Sequence, residues 1–135
     1  MPLRVVRLGT PRGDGEGLRI GTVRRPPRGI PREQFAAGNW YDVWLPELAP
    51  SASLLAYATK QELTETRWRT FTRRYRSEMR RPVAQHLLTL LAALSHRASL
   101  SVGCYCENES GCHRTILRDL LQDSGARVLP LSSER

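Results

Sequence analysis

The chain has 135 residues, 40% of them apolar and 25% charged, a length that fits one domain with a core of its own. That balance excludes a membrane protein and argues against wholesale disorder, and no stretch approaches the ~18 unbroken apolar residues of a spanning helix. Three cysteines are an odd number, so a complete disulfide framework is excluded. Arg4 and Arg7 interrupt any apolar run near the start, so no signal peptide is expected. These features lead us to expect a cytoplasmic, reduced protein: one α/β domain over residues 1–130 and a loose tail over 131–135.

The formal net charge is +8, which raises a nucleic-acid partner. The charge is almost all arginine, since Lys60 is the only lysine. It falls in two groups, Arg24–Arg32 and Arg67–Arg81. The second lies on an expected helix, where exposed arginine is ordinarily a solvated face. No aromatic ladder is interleaved with it.

In chain order, Leu3–Leu8 and Leu18–Val23 read as strands, separated by a Gly-rich loop. Pro26, Pro27, Gly29 and Pro31 then exclude a helix or an inner strand. A short helix is expected over 32–37 and a strand over 40–45, ended by Pro46. Ser51 can cap a helix through Tyr57. Trp68, Phe71, Tyr75 and Met79 mark the buried face of a helix over 66–80. Pro82 opens the next helix, to about residue 96, in which Val83, Leu87, Leu90, Leu91 and Leu94 form the expected apolar stripe. A strand over 98–105, a polar loop, a helix over 113–123 and a last strand over 126–129 make a βαβ unit with parallel strands. The expected fold is thus a mostly parallel sheet flanked by helices.

The chemistry concentrates in Cys104-Tyr-Cys-Glu-Asn-Glu-Ser-Gly-Cys-His-Arg114. This segment runs from the C-terminal end of an expected parallel strand into the first turn of a helix, where open α/β sheets bind ligands. A helix N-terminus beside Arg114 and His113 suits an anion. The residues leave three readings open. Cys112 can be a functional thiol, its thiolate favoured by that positive setting. Cys104, Cys106, Cys112 and His113 are zinc-type ligands, although the spacing is not that of ordinary paired sites and protein purified without added metal is expected to hold well under one zinc. Alternatively the cysteines are small buried hydrophobes, with His113 and Arg114 satisfying loop carbonyls. A phosphatase-type Cys-x5-Arg loop fails on spacing. Gly13–Gly17 is not a phosphate-binding loop, because no Gly-Lys-Ser/Thr follows; no cofactor is indicated.

Arg24-Arg-Pro-Pro-Arg-Gly29, Trp44-Leu-Pro-Glu-Leu-Ala-Pro-Ser51, Trp68-x2-Phe71-x2-Arg74-Tyr75-x2-Glu78 and Cys104-Tyr-Cys106 with Cys112-His-Arg114 occur in that order. The chain in this respect resembles domain of unknown function family 488, the YeaO-like proteins, across nearly its whole length. The resemblance implies a compact α/β domain with a mostly parallel sheet, and little about function. Two positions depart from the family pattern: an Asp and a Trp common in relatives are Val23 and Pro26 here.

The expectation carried forward is a site for a phosphorylated, nucleotide-like or otherwise anionic ligand. Arg114 would hold the anion, Cys112 and His113 would be the catalytic candidates, and Arg24, Arg28, Glu47 and Arg74 would line the walls. The alternative is a non-catalytic module that binds nucleic acid or protein through its arginine-rich face. Convergence of Arg24, Arg28, Arg74 and Arg114 on one pocket would favour the first; a flat exposed stripe of Arg67, Arg73, Arg80 and Arg81 would favour the second.

Overall fold

A computed structural model of the chain describes residues 2–62, 64–105 and 112–129. The expected tail over 131–135, and Cys106 with the polar loop after it, lie outside the described residues. Four strands, β1 (Leu3–Arg7), β2 (Leu18–Gly21), β3 (Val43–Trp44) and β4 (Leu100–Cys104), form one sheet in the order β1-β4-β2-β3. Every pair in it is parallel. The helices are α1 (Ala52–Lys60), α2 (Glu65–Glu78), α3 (Pro82–Leu94) and α4 (His113–Asp123).

Alternation along the strands sends Leu3, Val5, Ile20, Leu100 and Val102 to one face. There they join Leu54, Phe71, Tyr75, Leu88, Leu91, Leu117 and Leu121 from the helices in the main core. The opposite face is covered by loops rather than helices. Tyr41 lies so close over Gly21 that a Cβ there would sit 2.4 Å from its ring, and Glu16 is buried against Arg19 and Ser101. The segment 8–17 carries the chain from the end of β1 to the start of β2 without a helix, turning near Gly9 and again near Gly15.

The α2 stripe is buried as expected, with Phe71, Tyr75 and Met79 each at most 3% exposed. Ser51 caps α1, its Oγ accepting from the Leu54 N–H at 3.2 Å. The α3 stripe is a correction. Val83, Leu90 and Leu94 are exposed, and the buried residues are Ala84, Leu88, Leu91 and Ala92. Helix α3 is apolar on most of its circumference, so its orientation is set by its neighbour. Ala84 and Ala92 lie on the buried side, where close approach of a neighbouring element needs small side chains, while Ala93 is exposed; α4 is its helical neighbour.

Three other elements are shorter than expected. The 32–37 helix is a 3-10 turn at Arg32–Gln34 with no side-chain cap. The 40–45 strand pairs only at Val43–Trp44, because Trp40 and Tyr41 are used to pack over the loop-covered face. The last strand is a single parallel bridge, Val128 opposite Leu3. It places the segment after α4 beside β1, with β1 between it and β4.

Candidate functional site

The strands all point their C-terminal ends at one edge, and a cleft of about 850 Å³ opens there. Arg7 ends β1, Tyr105 follows β4, and Arg25 and Arg28 lie on the proline-rich segment after β2; all four line the cleft, with Trp40 closing one side. Proline fixes φ and stiffens this segment, so the two arginines stand on a rigid rim. Tyr105 staples it: its hydroxyl donates to the Arg25 carbonyl at 2.8 Å, while Arg7 Nε donates to the Tyr105 carbonyl at 3.4 Å. Burial, helped by nearby Tyr41 and Cys104, pushes the Tyr105 phenol far above its ordinary range, so it remains a neutral donor. Gly9 has φ +91°, and a Cβ there would come 2.9 Å from the Trp40 ring; glycine lets that ring seat against the loop after β1.

Arg25 and Arg28 are exposed in this cleft, and no described carboxylate forms an ion pair with either. A cleft with three guanidinium groups and two aromatic rings is suited to an anion carrying a planar or apolar portion.

Directly behind it lies the cysteine cluster. Cys104, Cys112, Leu8 and Tyr41 pack as one buried group, with Trp40 and Tyr105 against it. Cys104 Sγ and Cys112 Sγ are 2.6 Å apart, and His113 Nδ1 is 3.7 Å from Cys112 Sγ. The three ligand-capable atoms lie within 4.8 Å of one another, a grouping the sequence spacing did not favour. His113 Nε2 is 2.8 Å from the Thr22 carbonyl oxygen. A carbonyl can only accept, so the Nε2 proton is committed there and the Nδ1 lone pair faces Cys112. Tyr75 closes the back of the cluster, its ring edge-on to His113 at 5.5 Å and its hydroxyl donating to the Leu48 carbonyl at 2.6 Å. Burial first, then the adjacent sulfurs of Cys112 and Cys104 and the Glu78 carboxylate, push the Tyr75 phenol up.

The other expected site residues do not converge. Of Arg24, Arg28, Arg74 and Arg114, Arg28 alone lines the large cleft. Arg24 donates to the carbonyls of Pro46, Ala49 and Pro50 at 3.1, 3.2 and 3.0 Å, holding the turn before α1. With Glu47 it lines a separate cavity of about 190 Å³. Arg74 stands 5.3 Å from the Tyr57 ring centroid, beside Arg67 at 4.1 Å. Arg114 is 3% exposed in the first turn of α4. Cys112, the residue before that turn, makes no side-chain cap.

Arg7, Arg25, Trp40 and Tyr105 were not singled out as site residues by the sequence. The signal that could have found three of them is position: Arg7, Arg25 and Tyr105 lie at, or just after, the C-terminal end of a strand, the edge the parallel topology makes a ligand site, whereas Trp40 stands just before β3. Glu16 and Arg19 were missed as well, since a buried ion pair has no signature in spacing alone.

Fold and site together define a small parallel α/β protein with an arginine-lined cleft at the sheet's carboxyl edge and a cysteine–histidine cluster behind it. The chain belongs to the DUF488 family, of unknown function: the family model described as the active DUF488-N3 subclade matches residues 3–125. No curated protein and no solved structure matches the chain. No described helix is long and apolar enough to cross a membrane.

Proposed function

We propose that the protein binds a small anionic ligand, phosphorylated and nucleotide-like, in the cleft at the carboxyl edge of the sheet. Arg7, Arg25 and Arg28 hold the anion, and Trp40 and Tyr105 receive its apolar part. The observation that carries this reading is the gathering of those five side chains at the ends of parallel strands, in front of a buried Cys112–His113 pair. In this reading His113 Nδ1 takes the Cys112 thiol proton and the thiolate serves a thiol-dependent reaction. The name of the matching subclade, active, is consistent with chemistry rather than passive binding. Arg24 positions the Pro46–Pro50 turn.

Thermal denaturation with increasing pyrophosphate or nucleoside diphosphate tests the reading. A ligand at 100 times its dissociation constant stabilises by about 2.7 kcal/mol. The stabilisation should disappear in Arg25→Ala/Arg28→Ala, whose exposed side chains contribute little to folding. Equal stabilisation of both proteins would refute the cleft as the site.

A second reading rests on α2. Arg69, Arg73, Arg76 and Arg80 line a shallow groove of about 450 Å³ floored by Trp68, a surface that suits the phosphates of a nucleic acid or an acidic protein. Arg67 is turned inward over Tyr57, so the exposed set differs from the stripe expected from the sequence. Salt-dependent binding of duplex or single-stranded oligonucleotide, lost in Arg73→Ala/Arg80→Ala and kept in Arg25→Ala/Arg28→Ala, is its test.

A further inference from the structure

We infer that Cys104 and Cys112 are a redox-active dithiol that closes to an intramolecular disulfide at the expense of a hydroperoxide. The two sulfurs belong to free cysteines and are in direct contact, 2.6 Å apart. Zinc is the competing use of the same atoms. Sulfurs held at about 2.3 Å from a tetrahedral zinc stand about 3.8 Å apart, so a metal would require this pair to separate. Position supports the pairing too. Cys104 closes β4 and Cys112 immediately precedes α4, so one sulfur is held by the sheet and the other by the start of a helix.

The neighbours distinguish the roles of the two sulfurs. Cys112 faces the His113 Nδ1 lone pair, because Nε2 is committed to the Thr22 carbonyl. His113 takes the Cys112 proton, and the thiolate attacks the terminal oxygen of the hydroperoxide. The O–O bond breaks, the alcohol leaves with the proton returned by His113, and Cys112 becomes a sulfenic acid. The Cys104 sulfur then attacks the Cys112 sulfur, the S–O bond breaks, and the hydroxide leaves as water with the Cys104 proton. Two thiols and one hydroperoxide give one disulfide, one alcohol and one water. The proposal stands apart from anion binding: cleft arginines decide one, sulfur connectivity the other.

Mapping the cross-link tests it. The full chain is reduced, freed of reductant, treated with hydrogen peroxide, alkylated and digested for mass spectrometry. The expected product is a single Cys104–Cys112 link with Cys106 alkylated, reversed by dithiothreitol and retained in Cys106→Ser. In Cys104→Ser a dimedone adduct should accumulate on Cys112. Alkylation of all three cysteines after peroxide, a link through Cys106, or stoichiometric zinc that protects the thiols would each overturn the inference.

Discussion

Arg19 is gripped by Glu16 through two bonds, Nε to Oε2 at 2.7 Å and an NH2 nitrogen to Oε1 at 3.0 Å, with neither side chain more than 3% exposed. The other polar contacts of the pair reach three further segments. Arg19 also donates to the Thr10 and Asn39 carbonyls, and Glu16 also accepts from Ser101 Oγ and the Gly13 N–H. One pair thus ties the loop after β1, β2, β4 and the segment before β3 into a unit, and that unit carries the loops beside the cleft. Removing one partner of such a pair strands a buried charge, at about 3–5 kcal/mol. Glu16→Leu should show that loss in urea unfolding, whereas Glu16→Leu/Arg19→Met should recover much of it. If Glu16→Leu alone unfolds at the wild-type midpoint, the pair holds nothing together.

The same pair sets an acid limit. Burial would raise the Glu16 carboxyl, but the bonds from Arg19, Ser101 and Gly13 outweigh it and hold it below the ordinary 4.5. Asp42 is likewise held below 3.8: burial raises it, and Arg12 and the Arg19 N–H more than compensate. A carboxyl lowered in the folded state stabilises above its unfolded value, and that contribution is lost as pH falls through the folded one. Stability should therefore be flat with respect to these two groups from neutrality to about pH 5 and decline steadily below. Glu16→Gln should flatten the decline. An identical pH profile for that variant would remove Glu16 from the account.

Helix α3 offers a test of orientation. Leu90 and Leu94 are exposed and Leu91 is buried. Leu90→Lys and Leu94→Lys should each change unfolding free energy by no more than about 0.5 kcal/mol. Leu91→Ala, which leaves a cavity, should cost about 2–5 kcal/mol. The reverse order would mean that α3 buries the stripe read from its spacing.

How far the sequence was legible can be traced through these elements. The α2 stripe was readable because Trp68, Phe71, Tyr75 and Met79 share one face and arginines occupy the rest. Helix α3 was not, because leucine and alanine both sit on the packed and on the exposed side. Strand β4 was readable from its alternation and its place before the cysteine loop. The β3 region was not, since Trp40 and Tyr41 have strand-like chemistry but are spent covering Gly9 and Gly21. In the site, Cys112, His113 and Arg28 were readable as residues near a strand end. Arg24 and Arg25 are neighbours with identical chemistry, and only the structure separates the one clasping three carbonyls from the one facing the cleft. The nearness of Cys104 to Cys112 depends on how β4 and α4 meet, which spacing does not encode.

The central claim is that the anion sits among Arg7, Arg25 and Arg28. Amide chemical shifts of the labelled protein, followed while pyrophosphate is added, test it most directly. The account predicts saturable shifts confined to residues around 7–10, 25–30 and 105, lost in Arg25→Ala/Arg28→Ala. Shifts centred on Arg69–Arg80 of α2, or no saturable shift anywhere, would contradict it.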